Sequence, residues 1–215
     1  MSEIRAVISD FGGVLTTPLF NAFAHVQEEH GIPLESLGKA MWRATEERGE
    51  NPLFPLERGE LSEPEFLAIL QDALAAEIGR EVQMHDFAER YFAQLHPNEE
   101  MIAFLGALKA ERNVRLAMLT NNVREWEARW RSMLPVDEIF ELVVDSAFVG
   151  MRKPEPGIYE LTLERLGLPG EACAFIDDLE VNCEAAKEHG ITPIRFESTE
   201  QVIADLDALL EKRAA

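Results

Sequence analysis

Five short apolar runs, rich in β-branched residues, punctuate the chain, each bounded by polar or turn-forming residues. The first, Ile4-Arg5-Ala6-Val7-Ile8-Ser9-Asp10, stops at an acid and is followed by Gly12-Gly13, which reads as a buried strand running into a loop. Similar runs over Val114–Leu119, Leu142–Val144, Cys173–Ile176 and Ile191–Phe196 predict four more strands, with helical patterns filling the intervals. Strands alternating with helices predict a parallel α/β sheet.

The alternation breaks after the first strand. Between Pro18 and His96 no strand is predicted, but apolar positions recur at helical spacing in Leu19/Phe23/Val26 and in Phe66/Ile69/Leu70/Ala73/Leu74. Ser62-Glu63-Pro64-Glu65, just before the second set, has the spacing of a capping box. The Pro- and Gly-bearing stretch from Gly49 to Gly59 reads as the connector between two pairs of helices. Residues 18–96 are therefore expected to form an inserted helical domain, with 1–17 and 97–215 as the sheet-bearing core.

Composition narrows the choice of partner. The 215 residues carry 20 Lys+Arg against 40 Asp+Glu, a formal charge of −20, and 47% are hydrophobic, as in a globular protein. With an acidic excess and no Lys/Arg-rich run, neither nucleic acid nor a membrane surface is expected as a partner, and a small molecule is. No stretch reaches the ~20 apolar residues of a spanning helix. The opening Met1-Ser2-Glu3-Ile4-Arg5 lacks a basic region followed by an apolar segment, so no secretory leader is expected and the cytoplasm is the expected compartment. Cys173 and Cys183 are too few for a disulfide framework and read as buried small hydrophobes. His25, His30, His85, His96 and His189 show no metal-ligand spacing. Trp42, beside Arg43, reads as core on an amphipathic helix; Trp126 and Trp130, with Arg124, Arg129 and Arg131, read as a half-buried surface helix.

In an open parallel sheet, ligands bind beyond the carboxyl ends of the strands. Those ends carry Asp10, Thr120-Asn121-Asn122 and Asp177-Asp178, and the loop Gly150-Met151-Arg152-Lys153-Pro154 follows the third strand. Taken singly, each has a bland reading: Asp10 before two glycines is a strand-to-turn transition, and Asp177-Asp178 are helix N-caps. Together, three carboxylates on one rim repel one another unless protons or a cation intervene. Mg²⁺ suits an all-oxygen donor set shared with a substrate phosphate. Lys153 and the Thr120 hydroxyl suit a phosphoryl group, leaving Asp10 as a candidate nucleophile.

The motifs Asp10-Phe11-Gly12-Gly13-Val14, Leu119-Thr120-Asn121, Lys153-Pro154 and Ile176-Asp177-Asp178 occur in that order. On these the chain resembles the haloacid dehalogenase superfamily, specifically its magnesium-dependent phosphatases with a helical cap on a Rossmann-like parallel sheet. The strings Gly150-Met151-Arg152-Lys153-Pro154-Glu155 and Phe175-Ile176-Asp177-Asp178-Leu179-Glu180-Val181-Asn182 are similar to the subgroup containing sugar-1-phosphate phosphatases and the phosphatase domain of soluble epoxide hydrolases. The resemblance implies that Asp10 attacks phosphorus to form an aspartyl-phosphate that water hydrolyses. It also implies that Thr120 and the Asn121 backbone hold phosphoryl oxygens and that Lys153 neutralises charge. Mg²⁺ is implied on Asp10, the Gly12 carbonyl and Asp178, with Asp177 acting through a water and Asn182 keeping the acids oriented.

Two positions depart from the family pattern. The second Asp, which protonates the leaving oxygen, is replaced by Gly12; general acid–base help is worth about 10²–10⁴-fold, so slow turnover, an easy leaving group or a substitute acid is expected. Ser9 replaces a large apolar residue and is expected to loosen packing beneath the nucleophile. Two rival readings share the pattern. A 2-haloacid dehalogenase also lacks the second Asp, because halide leaves unprotonated, yet it needs no metal, and Asp177-Asp178 argue against it. A catalytically weak descendant that binds phosphorylated ligands is supported by Gly12.

Overall fold

In the computed structural model, residues 3–112 and 114–211 are described; Met1 and Ser2, read above for a leader, lie outside them, as do the side chains of Phe23 and Val26. The five apolar runs become β1 (Ala6–Ser9), β2 (Arg115–Thr120), β3 (Leu142–Asp145), β4 (Cys173–Asp177) and β5 (Thr192–Arg195). All pairings are parallel, in the order β3-β2-β1-β4-β5. Val7, Leu116, Met118, Ala174 and Ile176 point to one apolar layer, while Ala6, Ile8, Ala117, Leu119, Cys173 and Phe175 point to the other. Burial on both faces is why these runs are nearly continuously apolar. Ser9 stands opposite Met118 and Ile176, so β1, β2 and β4 end at nearly the same level.

Between β1 and β2 the chain forms α1 (Leu19–Glu29), α2 (Leu34–Arg48), α3 (Leu53–Glu57), α4 (Glu63–Ile78), α5 (Phe87–Ala93) and α6 (Glu99–Arg112). After β2 come α7 (Glu127–Arg131) and α8 (Val136–Ile139), then α9 (Ser146–Val149) and α10 (Pro156–Leu166) between β3 and β4, α11 (Glu180–Glu188), and α12 (Thr199–Glu211). Met101 and Leu105 of α6 and Val202 and Leu206 of α12 cover one sheet face; Ile158 and Tyr159 of α10 and Ala186 of α11 cover the other. Among the described residues, none from Pro18 to His96 is in a strand. There α2 packs along α4 and α1 against α5. The chain leaves and re-enters the sheet region side by side: Thr17 N–H donates to the His96 carbonyl (2.9 Å) and Asn98 N–H to that of Leu15 (2.8 Å).

Helix α4 starts with the expected box, the Ser62 N–H donating to the Glu65 carboxylate at 2.9 Å. Two other expectations need correction. The Gly49–Gly59 connector contains α3, begun where the Asn51 side chain accepts the Leu53 N–H (3.0 Å) ahead of the Pro52 turn. Trp42 is 68% exposed, because α2 turns its other face to α4. Trp126 and Trp130 are buried while Arg124 and Arg129 are exposed, so this stretch is the half-buried surface helix expected, with Phe87 and Tyr91 packed against Trp126.

Candidate active site

The strand order branches at β1: the chain runs outward through β2 and β3, then returns to the other side for β4 and β5. The crevice between β1 and β4 is the place where such a sheet binds ligands. Asp10 follows β1, its N–H donating to the Ile176 carbonyl (2.8 Å), while Asp177 ends β4 and Asp178 follows it. One oxygen from each of these three acids lies within 4.8 Å of the other two. Lys153 joins them from the loop after α9, its Nζ 2.8 Å from Asp10 Oδ1 and 2.7 Å from Asp177 Oδ2. Lys153 is 1% exposed and Asp177 0%, so this is a buried charge cluster.

Each member is held by specific bonds. Asp177 also accepts from Asn182 Nδ2 (2.9 and 3.1 Å) and the Leu179 N–H (2.9 Å), which makes it a fixed anchor and gives Asn182 its orienting contact. Asn121 turns its amide away from the crevice to clamp the Lys153 backbone, accepting its N–H at 2.8 Å and donating to its carbonyl at 2.9 Å. Thr120 ends β2 opposite Asp145 and is buried; its Oγ1 makes a long 3.4 Å contact to the Asn121 carbonyl. Gly13, with φ of +77°, runs so close to Asp178 that a Cβ would lie 2.5 Å from its Oδ2. Only glycine meets both demands. Ser9 does not loosen the layer beneath Asp10: it is fully buried and its Oγ donates to the Asp10 carbonyl at 2.8 Å.

Electrostatics set the character of the crevice. Burial pushes the Asp10 carboxyl up to about 8; Lys153 opposes the shift, and Asp177 and Asp178 add to it. Asp178 is also raised, by burial and then by Asp177. Burial alone would lower Lys153, but Asp10 and Asp177 more than offset it and hold the ammonium charged. Three carboxylates against one ammonium form a charge excess that protons or a cation must neutralise. An all-oxygen, half-open donor set of this kind fits a hard divalent cation such as Mg²⁺. It is the single such group of His, Cys, Asp and Glu among the described residues, and it contains no histidine. Burial raises the Cys173 and Cys183 thiols to about 11 and about 12, leaving both inert.

Gly12 is buried against α1. A Cβ built there would meet Leu19 Cδ1 at 2.7 Å, so a leucine occupies the space the family's second acid would need. Beside Gly12 and Asn121 opens a cavity of about 260 Å³, roofed by α3, α4 and α5 and floored by Trp126 and Trp130. At its edge Glu57 of α3 pairs with Arg152 at 2.5 Å and contacts Asn121 Nδ2 at 3.4 Å. Burial raises the Glu57 carboxyl and Arg152 counters it. Arg152 lies over the Phe54 ring at 4.0 Å, and Arg58 reaches Glu155 at 3.3 Å, so α3 is fastened to the lysine loop. Neither Leu19 nor Glu57 is marked by any motif; the one available signal was Asn51-Pro52, a helix-start pair announcing α3. Trp42 and Arg43 lie away from the site, Arg43 pairing with Glu47 on the surface.

A parallel sheet with a lysine and three acids at its switch point is the frame of an α/β protein built to hold a cation beside an anionic ligand. The chain belongs to the haloacid dehalogenase-like hydrolase family, whose model matches residues 4–190. It is 30% identical to the phosphorylated carbohydrates phosphatase of Thermotoga maritima, over 98% of this chain and 92% of that protein. It is also 30% identical to acyl-CoA dehydrogenase family member 10 of Mus musculus, over 96% of this chain, but spans only 19% of that protein. Among solved structures, a HAD family enzyme of Bacteroides thetaiotaomicron in complex with magnesium and inorganic phosphate superposes with a TM-score of 0.61. The two are 22% identical, over 89% of this chain and 93% of that one. The L-2-haloacid dehalogenase of Xanthobacter autotrophicus gives a TM-score of 0.63 at 19% identity, over 95% and 83%. At these identities the likeness concerns the fold alone.

Proposed function

We propose that the protein is a Mg²⁺-dependent phosphohydrolase that cleaves a small phosphorylated metabolite through an aspartyl-phosphate on Asp10. The observation that carries this reading is the convergence of Asp10, Asp177 and Asp178 on one another in a buried crevice, with the Lys153 ammonium paired to the first two. The phosphatase relative from Thermotoga maritima, similar over nearly its whole length, and the magnesium and phosphate in the Bacteroides thetaiotaomicron enzyme support it. In this reading Asp10, Asp178 and the Gly12 carbonyl hold the cation, with Asp177 acting through a water. Mg²⁺ supplies positive charge against the phosphoryl oxygens.

The chain's own residues do the rest. Asp10 Oδ forms the bond to phosphorus as the ester oxygen departs with its electron pair. Thr120 Oγ1 and the Asn121 N–H hold phosphoryl oxygens, and Lys153 Nζ, fixed by Asn121 and Asp177, neutralises the charge that builds beside Asp10. Residues 18–96 act as the cap and 1–17 with 97–215 as the core.

A second reading is favoured by one observation: Leu19 over Gly12 also suits a leaving group that departs unprotonated, as halide does. Parallel assays separate the two. Phosphate release from small phosphate esters, dependent on Mg²⁺ and lost in EDTA, is expected; halide release from 2-haloacids without metal, and no phosphate release, would overturn the proposal.

A further inference from the structure

We propose that the substrate is the monophosphate ester of a phenol whose ring sits in the cavity beside Gly12. The inference rests on the phosphohydrolase reading and narrows it. The cavity lies next to the reacting position: Gly12 and Asn121, which line it, stand two residues after Asp10 and directly after Thr120. A group esterified to a phosphoryl at Asp10 therefore has this space to occupy. Seven aromatic side chains line it. Trp126 is stacked by Tyr91 at 5.0 Å and Phe87 at 6.2 Å and met edge-on by Phe92 at 5.4 Å, so the wall is a packed aromatic cluster, an apolar surface suited to a ring.

Three polar side chains at the cavity wall are already engaged: Asn121 clamps Lys153, Glu57 holds Arg152, and Asn122 Oδ1 accepts the Val123 N–H at 2.9 Å. Sugar hydroxyls buried here would leave hydrogen bonds unmade, each weakening binding by roughly tenfold or more. A cavity of about 260 Å³ exceeds the ~150 Å³ that holds benzene, so one ring with a short substituent fits.

Leu19 over Gly12 points to the same substrate independently. With no acid at that position, the leaving oxygen departs as an anion. A phenol ionises near 10, as tyrosine does, whereas an alkoxide is nearly as basic as hydroxide, whose conjugate acid water has a pKa of about 15.7. Asp10 bonds to phosphorus as the P–O(aryl) bond breaks; the electron pair leaves on the phenolate, which takes a proton from solvent water. A water oxygen then attacks phosphorus, restoring the Asp10 carboxylate and releasing phosphate and a proton. The sum is aryl phosphate plus water giving phenol plus inorganic phosphate.

The test compares kcat/KM of the full chain with Mg²⁺ on 4-ethylphenyl phosphate, acetyl phosphate and glucose 1-phosphate. Acetyl phosphate has a good leaving group but no ring, and so reports the chemistry alone. The aryl ester is expected to exceed both others by about 100-fold, chiefly through KM. Leu53→Asp, at the partly buried cavity wall, is expected to cut the aryl-to-acetyl ratio by about tenfold. Without substrate or metal, 4-ethylphenol should quench Trp126 and Trp130 fluorescence saturably in the wild type, which keeps the test independent of whether the variant folds. Acetyl phosphate turnover with no aryl preference, or equal or faster turnover of glucose 1-phosphate, would overturn the substrate class and leave the phosphohydrolase reading standing. No phosphate release from any of the three would overturn both.

Discussion

Substituting Gly12 by Asp asks whether the space beside the nucleophile can be given back an acid. Gly12 has no positive φ, so its backbone accepts a side chain; the obstacle is Leu19, whose Cδ1 lies 2.7 Å and Cγ 3.1 Å from the new Cβ. Leu19 is partly buried at the start of α1 and must swing away. Overpacking of this kind costs about 1–3 kcal/mol, or about 2–12 °C in Tm for a chain of this length. Once in place, the carboxyl stands among apolar groups, and burial holds it protonated towards neutral pH, as a general acid requires. Gly12→Asp alone is expected to lower Tm and to help little. Combined with Leu19→Ala, it is expected to raise kcat on a primary alkyl phosphate by about 100-fold, within the 10²–10⁴-fold span of general acid catalysis, and on phenyl phosphate by less than about tenfold. The assay is kcat against leaving-group pKa over alkyl and aryl phosphates: a steep fall in the wild type that flattens in the double variant. A wild-type rate independent of leaving-group pKa, measured where the chemical step limits turnover, would refute the argument.

Other perturbations test the frame around that position. Lys153→Met leaves Asp10 and Asp177 buried without their shared cation, and is expected to cost about 3–5 kcal/mol, seen as a Tm lower by about 6–20 °C; an unchanged Tm would mean the pair is not what anchors the loop. Asp178→Ala is expected to weaken Mg²⁺ activation roughly 100-fold or more in a metal titration, with the Tm measured in EDTA little affected. Asp145, whose Oδ1 caps α9 through the Ala147 N–H, is pushed up to about 6 by burial, from 3.8. The folded state therefore holds the proton across that window, so its contribution is complete below about pH 4 and is lost as pH rises through 6, to about 2–3 kcal/mol. Asp145→Asn, which keeps the capping oxygen, should abolish that part of the Tm decline between pH 4 and 7; an identical profile would contradict it.

What could be read from the chain differs from what could not by the length scale of the causes. β1, β2 and β4 are buried on both faces, so their β-branched and apolar runs announce themselves locally, and α4 carries its own start signal in Ser62 and Glu65. Asp10, Lys153, Asp177 and Asp178 could be brought together because a parallel sheet brings its strand ends to one rim whatever the helices do. By contrast, the fate of Trp42 depends on which face of its helix a distant segment covers, and helical periodicity is silent on that. Helix α3 is a five-residue element in a Pro- and Gly-bearing stretch, too short for a periodic pattern. Leu19 reaches Gly12, and Glu57 reaches Arg152 across 95 positions, only in the folded chain. The departure at Gly12 was visible in the sequence; what fills it was not.

The central claim, that Asp10 takes the phosphoryl group, is tested most directly by acid-quenching the enzyme during turnover of a phosphorus-labelled substrate with Mg²⁺ and mapping the label by peptide. The account predicts label on the peptide containing Asp10, discharged on further incubation before quenching, and absent from an Asp10→Asn variant of unchanged Tm. Phosphate release that continues in Asp10→Asn, or that proceeds in the wild type with no labelled peptide under conditions where hydrolysis of the intermediate is slow, would contradict it.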